Sequence, residues 1–508
     1  MSITSALQIA TGGLANISQQ LSVISNNIAN ASTPGYAEEV STQTSLTADG
    51  QGFGVFTGPV VRQINLQLQA QSFQQNATVS ALQTTQTALQ PVDIAQGTPG
   101  AGTDLGSLLG NLQSAFTALA SDPASTSGQA RVVSVASTLA GQINGLSAAY
   151  TTARQNAQTG IQSGLTQLNG AMASVSQLTD QIISARQAGQ STADLENQRD
   201  TAMGTMSTLI GVNFIEQPNG GLLASTAGGL AMNMSTPAPQ LSMVNSTISQ
   251  QTYYPGGGIQ GIMLNGSDVT TALSGGSIGA DITLRDKTMP TYQGELDEFA
   301  NTLQSRFSSQ GLALFTTPAG GTSTVVPTPV QTGYIGYAGT IAVNPAVQAN
   351  PIEVTNGNVT VVGSPTGAAA FTPNPAGGPA SFDTLVNNVL TFAFGSQAQS
   401  GVAQVAPNVS GLGPLGTLSA PFGAPQTLSD FATSLVATQS ADVANTTTQL
   451  ATEQSVQTAL QAQVSSTSGV NTDNELSNMV ALQNSYGANA RIIAAAQAMW
   501  TQLITSVS

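Results

Sequence analysis

Hydrophobic positions at the N-terminus recur in alternating steps of four and three: Ile3, Leu7, Ala10, Leu14, Ile17, Leu21, Ile24 and Ile28. This spacing is an a/d seam and predicts an amphipathic helix lasting almost four heptads. A second seam closes the chain. Met479, Tyr486, Ile493, Trp500 and Val507 recur every seven residues, with Leu482, Asn489, Ala496 and Leu503 between them. Its polar member, Asn489, is the kind of residue that sets register at some cost in stability. A lone helix with an apolar stripe is marginal in water. The two ends, roughly 40 Å long each, are therefore expected to pack on each other, on neighbouring copies, or both. Two terminal helices docked on a globular core are the plainer alternative.

Between the seams the pattern changes twice. The first helix is expected to stop near Asn30, because Asn26, Asn27 and Asn30 are poor helix formers and Thr33-Pro34-Gly35 breaks the run. Residues 36–58 read as extended or loop, punctuated by Gly50, Gly52, Gly54 and Gly58. Helix is predicted from about Val61 to Leu89, a gap from Pro91 to Gly102, and a short helix over 105–120. A long helical stretch follows over 127–188, then a helix from Thr192 to Leu209 with Ser191 or Thr192 as N-cap. From Gly211 to about Ile282, short apolar runs alternate with Gly, Pro, Asn and Ser. They read as a small all-β region opening on a hairpin with a primed turn at Asn219-Gly220. Helix returns over 288–308 on the stripe Tyr292, Leu296, Phe299, Leu303 and Phe307. Residues 317–425 read as β-like or irregular. A last helix spans 428–464 before a break at 465–472.

The chain thus goes out through helices, makes two β excursions and comes back through helices. We expect an elongated multidomain α+β protein with a terminal α-helical coiled coil, a helical bundle or rod, and one or two inserted all-β domains. The expected units are 1–60 with 466–508 (coiled coil), 61–210 with 286–316 and 427–465 (helical), 211–285 (β), and 317–426 (outer β or irregular insert).

Composition removes several classes. The 508 residues contain nine Lys plus Arg, 24 Asp plus Glu, no Cys and no His, giving a net charge of −15. Charged residues make up 6%, against roughly 25% in ordinary soluble domains. No thiol or imidazole chemistry is available, so thiolate or histidine metal sites and Ser-His-Asp triads are excluded. So acidic a chain is not expected to bind nucleic acid or anionic membrane. No apolar run is long enough for membrane insertion. The first cation is Arg62, so no ordinary secretory signal peptide is expected. Carboxylate-only chemistry remains open on composition.

The candidate chemistry is sparse. A GxGxxG at Gly256, Gly258 and Gly261 is followed by Ile262–Gly266, which reads as strand and turn rather than helix, so a β-turn is preferred to a nucleotide site. Asp194, Glu196 and Asp200 lie near one helix start. Glu295, Asp297 and Glu298 read as a solvated helix surface, and Arg199–Asp200 and Arg285–Asp286 as structural ion pairs. No catalytic, metal or cofactor site is assigned. The unusual feature is the surface, rich in Gln, Asn, Ser, Thr, Gly and Ala, where close subunit packing desolvates little charge.

Residues 25–36, Ser-Asn-Asn-Ile-Ala-Asn-Ala-Ser-Thr-Pro-Gly-Tyr, resemble the N-terminal signature of bacterial flagellar rod, hook and hook-associated proteins, carried by Asn26, Asn27, Asn30, Pro34, Gly35 and Tyr36. Glu475-Leu476 and Tyr486–Ile493, including Asn489 and Arg491, resemble the matching C-terminal signature. Residues 115–123 with Arg131, Asp194–Asp200, Gly275–Gly279 with 284–297, and Ile341–Pro345 with 349–351 resemble the hook-associated protein 1 (FlgK) family in particular.

The resemblance implies a non-enzymatic, cofactor-free component of the hook–filament junction. It implies a short ring of copies joined by their terminal helices, with the hook protein, the second junction protein and an export chaperone as partners. It also implies export by the flagellar type III apparatus to the extracellular flagellum. The expected assembly interface is Leu7, Leu14, Ile17, Leu21, Ile24 and Ile28 with Met479, Leu482, Tyr486, Asn489, Ile493, Trp500 and Leu503. The alternatives are another axial subunit of hook or filament type, or a secreted adhesin or carbohydrate-binding protein acting through clustered aromatics in 317–425.

Overall fold

The computed structural model describes residues 3–33, 35–48, 51–317 and 333–507. Helix α1 (Ile3–Asn30) leads into a long antiparallel hairpin, β1 (Glu39–Ala48) and β2 (Gln51–Arg62), in which Glu39 pairs with Arg62. Helix α2 (Leu66–Gln96) starts at Asn65, whose side chain accepts from the Leu68 N–H at 3.1 Å. It runs through Pro91 instead of ending before it. Leu89, Val92 and Gln96 are all buried there, and their burial outweighs the local cost of proline. Helix α3 (Leu105–Ser121) is capped by Asp104, which accepts from the Ser107 N–H at 3.0 Å.

Helix α4 (Thr126–Gln187) is 62 residues long, about 90 Å at 1.5 Å per residue. It is the spine of the molecule. Its first half, from Val132 to Ala157, lies in one core with α3 and the later helices Met289–Ser309 and Leu428–Ser468, and its second half, from Ile161 to Val175, lies in another with the helix Ala193–Leu209 and the sheet that follows it. Helix α5 (Ala193–Leu209) precedes the sheet β3 (Val212–Glu216), β4 (Leu222–Thr226) and β5 (Ala231–Asn233). The β3–β4 turn is not the expected two-residue one. Gln217 donates its N–H to the Gly221 carbonyl at 2.7 Å, and three residues connect the pair, with Gly220 at φ +92°. This is a turn closed by a glycine bulge. The two-residue turn occurs further on, at Asn265-Gly266 between β7 (Met263–Leu264) and β8 (Ser267–Asp268), both residues at positive φ. Strand β6 (Leu241–Ser242) completes that sheet.

Helix α6 (Gly276–Thr283), a π turn at Leu284–Thr288 and α7 (Met289–Ser309) run on from one another. The described part of 317–425 holds two-stranded pairs and the short helices α8 (Pro345–Ala349), α9 (Glu353–Asn356) and α10 (Thr384–Asn388). Helices α11 (Leu428–Ser468) and α12 (Thr472–Val507) close the chain. The main core contains an aromatic stack: Phe307 lies edge-on to Phe315 and Phe394, and Phe299 to Phe431. The fold is thus α+β and elongated, with long terminal helices and small sheets.

Candidate assembly interface

Helix α1 packs along α12 on one side and against β1 and β2 on the other, so the two ends of the chain meet. Of the predicted N-terminal seam, Ile17 and Ile24 are buried, and Leu7, Leu14, Leu21 and Ile28 are half-buried. On α12, Met479, Leu482, Asn489 and Ile493 are half-buried, whereas Tyr486, Trp500 and Leu503 are exposed, Trp500 by 49%. The Val507 side chain lies outside the described residues. The Asn489 amide sits over Gly13, where an added Cβ would lie 3.3 Å from its nitrogen. An approach this close favours glycine on the facing helix, since a Cβ there would make the Asn489 side chain give way by a few tenths of an ångström. Beyond the seam, Val480, Ile492, Met499 and Ile504 are also exposed. Intrachain pairing therefore covers only part of the apolar surface on these helices.

At the base of the pair, Asn27 is 0% exposed and uses its whole hydrogen-bonding capacity. Its amide donates to the Glu39 carbonyl at 2.9 Å and to Glu475 Oε1 at 2.5 Å, and its Oδ1 accepts from the Tyr36 hydroxyl and the Glu39 N–H, both at 3.0 Å. One asparagine thereby ties α1, the segment after it, β1 and α12 together. Glu38 donates its N–H to the Ser468 carbonyl at 2.8 Å. Asn197 on α5 accepts from the Ala37 N–H and donates to Glu39 Oε1 at 3.1 Å. Burial, with Asp194 nearby, pushes the Glu39 carboxyl up to about 7. Arg62, at the end of β2, pairs with Glu196 at 2.9 Å and Asp200 at 2.5 Å.

The other signature residues have local roles. The Asn30 amide donates to the Asn26 carbonyl at 3.1 Å and its Oδ1 accepts from Thr33, closing the helix where the sequence predicts. Gly35 sits in the turn at φ +82°. Pro34 lies outside the described residues, and Arg491 is exposed. Glu39 and Glu475 are partners of Asn27 that the sequence pattern does not reveal, and Asn197 joins the cluster through Ala37 and Glu39. The available signal was polar residues adjoining the motif, but the sequence separation of 448 between Asn27 and Glu475 hides the pairing.

Glu295, Asp297 and Glu298 are not a solvated helix surface: all are buried, the first two at 1% exposure. The segment after residue 333 folds over α7 and covers them. Asp297 accepts from the Gly336 and Ala338 N–H groups at 2.8 Å each, and Glu298 accepts from the Tyr334 hydroxyl and the Asn408 N–H. Both carboxylates pin that segment in place. Glu295 has no well-formed hydrogen bond at either oxygen. Burial pushes it up to about 8, with the adjacent Gln439 amide offsetting a little and Asp442 adding to the rise.

Arg285 does pair with Asp286, at 2.6 Å, but Arg199 reaches Glu216 at 3.2 Å and not Asp200. Gly257 and Gly258 bridge to Tyr253 in a turn that Gly256 enters at positive φ, Gly261 lies against Asp268, and no helix follows. In 317–425, Tyr334, Tyr337, Phe371 and Phe394 are buried and Phe382, Phe392 and Phe422 half-buried, so this cluster is core and not a display of exposed rings. Among the described residues no helix is long and apolar enough to cross a membrane, and no group of three or more His, Cys, Asp or Glu could hold a metal ion.

Terminal helices that meet, a signature asparagine locking them to the body, and a long helical spine describe an elongated structural protein. Residues 89–316 match the family model of the flagellar hook-associated protein FlgK helical domain. Residues 7–36 match that of flagella basal body rod proteins, and 461–506 that of the FlgEFG basal body rod C-terminal segment. Flagellar hook-associated protein 1 of Escherichia coli (strain K12) is 25% identical over 563 residues, covering 99% of this chain and 100% of that protein. Its counterpart in Salmonella typhimurium is 25% identical over 61% of this chain and 56% of that protein. The solved flagellar hook junction protein FlgK from Burkholderia pseudomallei is 25% identical over 51% of this chain and 46% of that chain, with a TM-score of 0.40. The match thus spans about half the length of the latter two and the whole of the first. The chain is similar to flagellar hook-associated protein 1 along its whole length, carries the FlgK helical domain over 89–316, and is a structural component of the bacterial flagellum.

Proposed function

We propose that the chain forms the junction between hook and filament, as a ring of copies joined through α1 and α12. The observation that carries this is the half-covered seam. Leu14 and Leu21 on α1, and Tyr486, Trp500 and Leu503 on α12, retain apolar surface after the two helices have paired. Covering such a strip with the same strip of a sister copy would contribute on the order of several kcal/mol per subunit. The interface residues are those of the two seams named above, and Asn27, Tyr36 and Gly35 fix the angle at which the pair leaves the body.

In this reading, 1–60 with 466–508 form the inner coiled coil, and 61–210 with 286–316 and 427–465 the helical domain outside it. Residues 211–285 and 317–426 are the outer units. The hook protein and the second junction protein are the axial neighbours. An export chaperone accompanies the chain, and the flagellar type III apparatus carries it to the extracellular flagellum without a catalytic role. The long helical body favours a junction protein over a hook or filament subunit.

Electron microscopy of flagella from a strain lacking the chain tests this. The expected result is hooks without filaments and flagellin shed into the medium. Normal filaments would contradict it.

A further inference from the structure

Asp281, on α6, is 8% exposed, and no described donor bonds its carboxylate. Other buried acids of the body have donors: Asp297 and Glu298 backbone N–H groups, Asp200 Arg62, Asp104 Ser107 and Gly100; Glu295 also lacks one, but it is sealed in the core at 1% exposure and does not line the groove described next. The nearest cation to Asp281, Arg285, is already used. It pairs with Asp286 and donates to Gln158 at 2.8 Å. Asp281 is pressed against α4 at Gly160, where a Cβ would collide with the carboxylate. A desolvated anion without a partner is costly to hold.

This carboxylate lies in the lining of a groove of about 430 Å³ between α2 and α4. Ala88, Ala149, Ala153 and Ala157 give the groove apolar walls, and Gln83 and Asn156 are among its polar lining residues. Apolar walls leading to a lone anion suit a long side chain whose stem is alkyl and whose tip is cationic.

The chain's own charges indicate the source. Of nine Lys and Arg, six are tied into the fold: Arg62, Arg186, Arg199 and Arg285 to carboxylates, Arg154 and Arg306 to backbone carbonyls. Arg131, Lys287 and Arg491 are exposed, with no ion pair among the described residues. We propose that the groove over Asp281 receives an arginine or lysine side chain of a second copy of this chain. It would be a lateral contact in the helical body, separate from the terminal seam. The proposal rests on the self-assembly reading above.

Two measurements on the full chain test it. In the first, Ala153 and Ala157 methyl signals are followed by NMR while the free chain is titrated with n-propylguanidinium. A saturable shift is expected, at least about tenfold weaker in Asp281→Asn and absent with n-butanol. No saturable shift, or an equal shift in the variant, overturns the site. In the second, a photo-crosslinker replaces exposed Gln83 at the groove, and isolated flagella are irradiated. The expected product is a dimer of this chain joined to a peptide carrying Arg131, Lys287 or Arg491. A cross-link to another protein, to a peptide without these residues, or none at all overturns the second-copy assignment. The titration reads the site without assembly, and microscopy of the deletion strain reads the junction, so failure of one is distinguishable from failure of the other.

Discussion

Single side chains carry much of the specificity here, because charge is so scarce that each polar burial has an identifiable partner or an identifiable cost. Asn27 makes four hydrogen bonds in a site with no solvent exposure. Asn27→Ala would leave the Tyr36 hydroxyl, the Glu39 backbone and Glu475 short of partners. We expect a loss of about 2–4 kcal/mol per assembled subunit. Isolated flagella carrying the variant should shed filaments at a lower temperature, and an unchanged shedding temperature would count against the clamp.

Glu295 supplies the opposite case, a buried carboxyl that weakens the fold when ionised. Its pKa rises from 4.5 to about 8 on folding. Below about pH 4.5 both folded and unfolded forms are protonated and no penalty exists. Between about 4.5 and 8 the unfolded form ionises first, so stability falls as pH rises, by about 1.4 kcal/mol per unit. Glu295→Gln should therefore match the parent near pH 4.5 and exceed it at pH 8 by on the order of 4 kcal/mol, as read by denaturant unfolding at the two pH values. An advantage that did not grow with pH would contradict the assignment.

At the scale of elements, periodicity decided what could be read from the chain. The strongly patterned segments, α1, α4, α7 and α12, fall where their seams and stripes place them, because a sustained apolar stripe leaves a helix few alternatives. Local signals were weaker guides where tertiary packing opposed them. Pro91 reads as a breaker, yet it sits inside α2 because Leu89 and Val92 are core residues. Asn219-Gly220 reads as a two-residue turn, yet Pro218 joins the loop and makes it three.

The assembly face was legible as a seam, but the Asn27–Glu475 bond was not, since nothing local links positions so far apart. Likewise, Glu295, Asp297 and Glu298 read as surface because the segment that covers α7 shows no regular period. A direct test belongs to the seam itself. Leu14→Asp with Leu21→Asp should abolish incorporation into flagella while circular dichroism of the purified variant retains the helical and β body. Normal incorporation would remove the seam from the account.

For the whole molecule, the low charge and the paired ends belong together. A surface of amides, hydroxyls and small residues lets copies approach with little desolvation cost. The 62-residue α4 runs through both cores and joins them into one elongated body. The body is held by full cores, whereas α1 and α12 depend on a half-covered seam plus the clamp at Asn27. Coupling of their folding to assembly would prevent polymerisation before incorporation.

Amide hydrogen exchange over Ile3–Asn30 and Thr472–Val507, compared between the dilute free chain and the chain in isolated flagella, measures this most directly. Rapid exchange of both helices in the free chain, against slow exchange in the helical body, with strong protection gained on assembly, is the predicted result. Equal protection of the two helices in both states would mean that they are complete without sister copies, and would contradict the account.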